Sequence, residues 1–309
     1  MSDCQLCAST HDEGQCPKSR TGQRLDKYVI GPVIGIGGIA AVYAAEHPVL
    51  RTRIAVKVLH ERFAKDHELA TRFVREARET AAAAAHPAFV RVHDAGTTED
   101  GCPYIEMDLL EGRELYSLRK ASGPLAPEHV VWIATQVLDA LAVLHARGVI
   151  HRDLKSQNIF IVSTPAGDQV KLLDLGFAKV NDELQLTSNE QLLGTPLYIS
   201  PEQYVDPHGV DARADLFSLG VIMYETLTGD WPYTWNTKRE LLSKVMKGDM
   251  ERHPMARHPD IPAWLDAIVA RALAHAKEDR FESALAMKAA LEQGPPREKS
   301  GLLRRLFGQ

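Results

Sequence analysis

Two aspartates 21 positions apart, Asp153 and Asp174, constrain this chain more than any other feature. Between them lie a short apolar run, Ile159 to Val162, a turn at Pro165, Ala166, Gly167 and Asp168, and a second run, Val170 to Leu173. Runs of this kind on either side of such a turn read as a β-hairpin, which returns both carboxylates to the same end. Lys155 and Asn158 stand beside the first of them. One carboxylate can then accept a hydroxyl proton while the other holds a metal ion, with the lysine adding a cation and the asparagine a neutral oxygen ligand. That division of labour is what phosphoryl transfer from a nucleotide needs.

The stretch His151-Arg152-Asp153-Leu154-Lys155-Ser156-Gln157-Asn158, followed by Asp174-Leu175-Gly176, resembles the catalytic loop and metal-binding loop of the protein kinases. Ser156 stands where that family usually has proline, and Leu175 where it usually has phenylalanine. Neither change touches a charged group. The resemblance implies that Asp153 orients or deprotonates the acceptor hydroxyl, that Lys155 faces the transferred phosphoryl group, and that Asn158 and Asp174 hold Mg2+. It also implies that Phe160 floors the adenine site. A lysine two residues after the base marks the serine/threonine branch.

Upstream the pattern is one of short β-branched strands, Tyr28 to Gly35, Ala41 to His47 and Arg53 to His60. The glycines of Gly35-Ile36-Gly37-Gly38 let a backbone close over phosphates, although a glycine-rich hairpin taken alone is equally a plain turn. Ala40 replaces the third glycine of the family loop. Lys57 shares its strand face with Ala55, an awkward place for a solvated lysine, so it points at something anionic. By resemblance that is ATP, with Lys57 held by Glu76 of a helix expected over His67 to Ala85; Glu79 is the alternative. Strands are expected from Phe89 to Asp94 and from Pro103 to Leu109, before a reversal at Leu110-Glu111-Gly112. The implied ATP-binding set is Ile34, Gly35, Ile36, Gly37, Gly38, Val42, Ala55, Lys57, Glu76, Met107, Asp108, Leu110 and Phe160. Strands early and helices late predict an α+β fold, a β-rich N-lobe and a helical C-lobe, with nucleotide expected in the cleft between domains.

Beyond the first apolar helix, Pro127 to Arg147, residues Phe177 to Glu202 resemble an activation segment ending in Ser200-Pro201-Glu202. Thr195 is expected to meet Asp153 and Lys155, and Thr187 or Ser188 to be phosphorylated and paired with Arg152. Asp215, entering a helix apolar nearly all round, must bond backbone, and the catalytic loop supplies it. Thr237 to Glu240 reads as a capping box, and Arg280 as the partner of Glu202.

The reading divides the chain into a cysteine-rich leader (1–22), a kinase domain (28–292; N-lobe 28–109, C-lobe 112–292) and a short basic tail (293–309). In the leader, Cys4, Cys7, His11 and Cys16 come close to a CCHC zinc-knuckle spacing, one residue short in the middle gap; a leader with incidental cysteines is the competing reading. The net charge of −5 offers no global basic field for nucleic acid. No apolar run approaches a membrane span and no secretory signal opens the chain, so a cytoplasmic location is expected. The tail's Leu302 to Phe307 is either a small membrane-surface patch or a frayed end. The motifs look most like bacterial Hanks-type serine/threonine kinases, acting with ATP and Mg2+ on protein substrates and pairing transiently for trans-autophosphorylation. A pseudokinase scaffold is the alternative, although its usual mark, loss of Lys57, Asp153 or Asp174, is missing here.

Overall fold

β-branched and alanine-rich runs in the first hundred residues favour pleated strands, and the computed structural model, which describes residues 19–83, 85–173 and 196–294, builds them into a sheet. The chain divides into two compact units, one of residues up to 84 with 90–110, the other of residues 85–89 with those from 111 onward.

The first unit holds an antiparallel six-stranded sheet in the order β1-β2-β3-β4-β6-β5. Its strands are β1 (Arg24–Leu25), β2 (Tyr28–Ile36), β3 (Ala40–Glu46), β4 (Arg53–Leu59), β5 (Val92–Thr97) and β6 (Pro103–Asp108). Between β4 and β5 come a single turn α1 (Glu61–Ala64) and helix α2 (His67–Ala83). β4 is buried on both faces: Ile54, Val56 and Val58 join Tyr28, Ile30, Tyr43 and Cys102 on one side, while Leu59 packs with Phe73, Ala77 and Ile105 under α2. Each fully buried Val, Leu or Phe of these clusters contributes roughly 1.5–3 kcal/mol. The start of the unit is pinned from outside the sheet. Arg20 grips Asp100 with two nitrogens, at 3.0 and 2.7 Å, and lies 3.1 Å from Cys102 Sγ.

One expected strand moves. The fifth runs Val92–Thr97, not Phe89 to Asp94, because Phe89 is taken by the second unit. There it bridges Leu172 in parallel, and Leu172 N–H bonds Ala88 C=O at 2.7 Å. An apolar run declares that it wants burial but not in which core. α2 is described over His67–Ala83, inside the expected span.

The second unit carries a three-stranded antiparallel sheet of β7 (Gly112–Glu114), β8 (Ile159–Thr164) and β9 (Gly167–Leu172). Its helices are α3 (Leu115–Ser122), α4 (Pro127–Ala146), α5 (Pro201–Val205), α6 (Arg213–Thr228), α7 (Lys238–Lys247), α8 (Ala263–Ala272) and α9 (Ala284–Glu292). Gly148, at φ 71°, turns the chain out of α4 into the catalytic-loop sequence. Gly112 sits so close to β8 that a Cβ there would lie 2.1 Å from Ile161 O and 3.0 Å from Phe160 Cε1; no other residue fits. α6 is buried along almost its whole length and stops at Gly229 in the left-handed region, φ 75°. By length and composition α4 could span a membrane, which amends the reading that no run approaches one. Its buried residues, among them Val130, Ile133, Val137 and Leu141, are those of a core helix.

Two scaffold details refine the sequence reading. Thr237 Oγ1 accepts the Glu240 N–H at 3.2 Å, but the glutamate reaches back to Asn236 N–H at 2.8 Å, one residue before the cap. Arg280 and Glu202 form the expected pair, at 2.6 and 2.8 Å.

Candidate active site

In the first unit β4 carries Lys57 inward among apolar neighbours, and α2 brings Glu76 to it: Lys57 Nζ lies 2.7 Å from Glu76 Oε1, with both side chains less than a tenth exposed. Phe73, almost one turn earlier on α2, puts its ring 5.7 Å from the same ammonium. Glu79 is half-buried, and Glu76 is the residue that faces the lysine. Val42 and Lys57 are register partners, which sets the apolar wall beside the cation. Val42, Ala55, Met107, Leu109, Leu110 and Val90 make one apolar cluster, so four residues of the implied ATP-binding set come together. Asp108 donates its N–H to Arg91 C=O at 2.9 Å, and its carboxylate meets His93 at 2.7 Å.

The glycine turn joins β2 to β3. Gly35 pairs with Val42 and Ile36 with Ala41, and Gly37 N–H closes the turn on Ala40 C=O at 2.8 Å. Its carbonyls are held from outside the turn, Gly37 C=O by His60 at 2.9 Å and Gly38 C=O by Arg62 at 2.9 Å. Burial, partly offset by the Gly37 carbonyl, lowers the His60 pKa and favours a neutral ring. Ile34 and Ile36 are exposed.

In the second unit the loop after α4 gathers the charged groups. Lys155 Nζ lies 3.0 Å from Asp153 Oδ2, and the Asn158 amide nitrogen donates to Asp153 C=O at 2.9 Å and to Oδ2 at 3.2 Å. A short 3-10 turn, Ser156–Asn158, aims the asparagine. Phe160 follows on β8, half-buried between its register partners Glu114 and Lys171. Asp174, Leu175, Thr187, Ser188 and Thr195 lie outside the described residues, as do Cys4, Cys7, His11 and Cys16. Among the described residues no group of three or more His, Cys, Asp or Glu is arranged to hold a metal ion.

Asp215 organises this loop from α6. Its two oxygens accept the N–H groups of His151 and Arg152, each at 2.9 Å, and a bond from His145 Nε2 at 2.8 Å. Arg152 is held at φ 63°, a conformation rare outside glycine, and its carbonyl accepts from Gln203 Nε2 at 3.2 Å. Burial pushes the Asp215 carboxyl up, but the His145 hydrogen bond and the neighbouring imidazoles outweigh it, and the net shift is downward. A carboxyl depressed in the folded state stabilises above its unfolded value, about 3.9, and that contribution fades as pH falls through the folded value. Asp215→Asn is therefore expected to lower the urea midpoint at pH 7 and to flatten its fall between pH 5 and 3. Parallel pH profiles for variant and wild type would contradict this account.

The protein kinase domain model matches residues 28–291. The chain belongs to the protein kinase family. It is 37% identical over 285 residues to serine/threonine-protein kinase PknB of Mycobacterium leprae, covering 90% of this chain and 45% of that protein. With serine/threonine-protein kinase PknH of Mycobacterium tuberculosis it shares 38% identity over 291 residues, 93% of this chain and 45% of that protein. It thus spans about half the length of the curated relatives it matches. The crystal structure of the Mycobacterium tuberculosis PknI kinase domain superposes with a TM-score of 0.67 at 28% identity, over 88% of this chain and 98% of that one. The two-lobed α+β fold is that of this family. Kinase sequence logic located the charged residues but missed two groups that brace their loop: Gln203, which bonds the Arg152 carbonyl from 51 positions away, and His145, which bonds Asp215 across 70 positions.

Proposed function

We propose that this protein kinase transfers the γ-phosphoryl group of ATP to serine or threonine hydroxyls of protein substrates. One observation carries the reading: the carboxylate of Asp153 already holds Lys155 and the Asn158 amide within 3.2 Å. Asp153 orients the incoming hydroxyl and takes its proton. Lys155 balances the charge spreading over the transferred oxygens. In the same proposal Lys57, fixed by Glu76, faces the α- and β-phosphates, Gly35 to Gly38 lie over them with Ile34 and Ile36, and Val42, Ala55 and Met107 line the adenine; on the second unit, Phe160 holds the family's adenine-floor position. The backbone of Asp108 and Leu110 bonds the base.

Magnesium fits the donor set. The Asn158 nitrogen is committed to Asp153, which turns the side-chain oxygen away as a neutral hard ligand. Asn158 and Asp174 would hold the ion, which neutralises charge on the nucleotide phosphates. An inert nucleotide-binding scaffold is disfavoured because lysine, base and metal aspartate all remain.

The test is intact mass after incubation with Mg-ATP, beside an Asp153→Asn control. Added phosphate on the wild type alone is the expected result; none on a protein that still binds ATP would overturn it. Phosphorylation at Thr187 or Ser188, paired with Arg152, is part of the proposal, as are transient pairing of copies and a cytoplasmic site of action. The double alanine variant should phosphorylate substrate at least tenfold more slowly, and an unchanged rate would remove the switch. For the leader, zinc on Cys4, Cys7, His11 and Cys16 predicts a tetrahedral thiolate signal when cobalt is added to a 1–22 peptide at pH 7, displaced by zinc. No such signal would leave the cysteines without a metal.

A further inference from the structure

Ser156 departs from its family, and the structure gives its hydroxyl a partner. Ser156 Oγ lies 2.7 Å from the phenol oxygen of Tyr198, which lies 2.8 Å from Glu225 Oε2 on α6. The other oxygen of Glu225 takes Arg119 Nη2 of α3 at 2.8 Å, and Arg119 Nη1 donates to Gly229 C=O at 3.0 Å. Ser156 and Glu225 are 1% exposed and Tyr198 7%. The direction of each bond follows. A carboxylate only accepts, so Tyr198 donates its single proton to Glu225, and its oxygen is left to accept from Ser156. Burial, reinforced by Glu225, pushes the Tyr198 pKa up, so the phenol keeps that proton.

Tyr198 has little freedom of its own. Ser218 Oγ donates to its carbonyl at 2.8 Å, and the Trp231 ring packs edge-on at 5.2 Å. It is a fixed post, and Ser156 is tied to it by the hydroxyl. Proline is not excluded at Ser156 by the chain before it: Lys155 is extended, φ −153° and ψ 161°, the conformation a following proline prefers. What proline cannot supply is the hydroxyl donor.

Building on the kinase reading, we propose that Ser156 is a positioning residue. Bonded to Tyr198, it anchors the turn between Lys155 and Asn158 to α6 and sets where these two side chains meet Asp153. A catalytic group displaced by a fraction of an ångström loses rate rather than substrate affinity.

The experiment compares Ser156→Ala, Ser156→Pro and Ser156→Thr, each alone and with Tyr198→Phe, in the full chain. Expected are a kcat about three- to tenfold lower for alanine, a larger loss for proline, an unchanged KM for ATP and recovery with threonine. In the Tyr198→Phe background the alanine change should add nothing, because its acceptor is already gone. A kcat for Ser156→Ala and Ser156→Pro equal to wild type, or an alanine effect undiminished beside Tyr198→Phe, would overturn the proposal. A second readout does not depend on turnover: backbone hydrogen exchange of peptides spanning 151–160 should quicken in both variants. Unchanged exchange there overturns the proposal too. If the wild type transfers no phosphate at all, the kinase reading falls, while exchange still decides whether Ser156 anchors the loop.

Discussion

Asp153→Asn is expected to reduce phosphoryl transfer by about 10²- to 10⁴-fold while leaving Mg-ATP binding and the fold intact. Asparagine keeps the size of the side chain and can still accept from the Asn158 amide. It loses the negative charge that holds Lys155 at 3.0 Å and the basicity that a hydroxyl proton requires. The loss should fall on kcat, because Lys57 and the apolar cluster around Met107 belong to the other unit and are untouched. Steady-state kinetics on a serine-containing peptide, with a thermal shift on adding Mg-ATP as the binding control, would measure it. Turnover within tenfold of wild type would remove Asp153 from the proton's path.

The largest stability effect is expected at Arg280→Ala. The guanidinium is 0% exposed as a side chain, forks onto both oxygens of Glu202, and also donates to Ala274 C=O at 2.8 Å and His275 C=O at 3.0 Å. It lies 4.8 Å from the Phe217 ring centre. Removing one member of such a pair leaves the other charge without its partner and costs about 3–5 kcal/mol. Against a total of roughly 5–15 kcal/mol, that puts the folded state within reach of failure at physiological temperature. Arg280→Lys should recover only part of the loss, since one ammonium cannot reproduce a planar fork. Urea denaturation of both variants would decide; a loss under about 1 kcal/mol for alanine would mean that the pair contributes little.

What the sequence revealed and what it hid divide along one line. Residues whose identity is dictated by charge next to a backbone motif, such as Asp153, Lys155, Asn158 and Lys57, were legible because few other chemistries use that spacing. The choice of Glu76 over Glu79 came from resemblance, since Phe73 to Ala77 matches the family's helix motif, and α2 buries Glu76 beside Phe73 and Ala77. The placement of Phe89 was not, since a buried aromatic carries no label for which of two cores receives it. Nor was the cap at Thr237, where Glu240 found the N–H of Asn236 one residue early. Ser156 read only as a replacement of proline that touches no charged group, because its partner, Tyr198, is 42 positions away and only the tertiary fold joins them.

Arg152 carries a consequence for the order of assembly. Its left-handed backbone costs of order 1 kcal/mol or more unless something repays it, and the repayment comes from Asp215, 63 residues downstream. A nascent or refolding chain that has formed α4 but not α6 therefore has no reason to keep this conformation. Catalytic competence should be the last local property to mature, arriving only once α6 has docked, and a truncated chain ending before Asp215 would contain every letter of the catalytic motif without its shape.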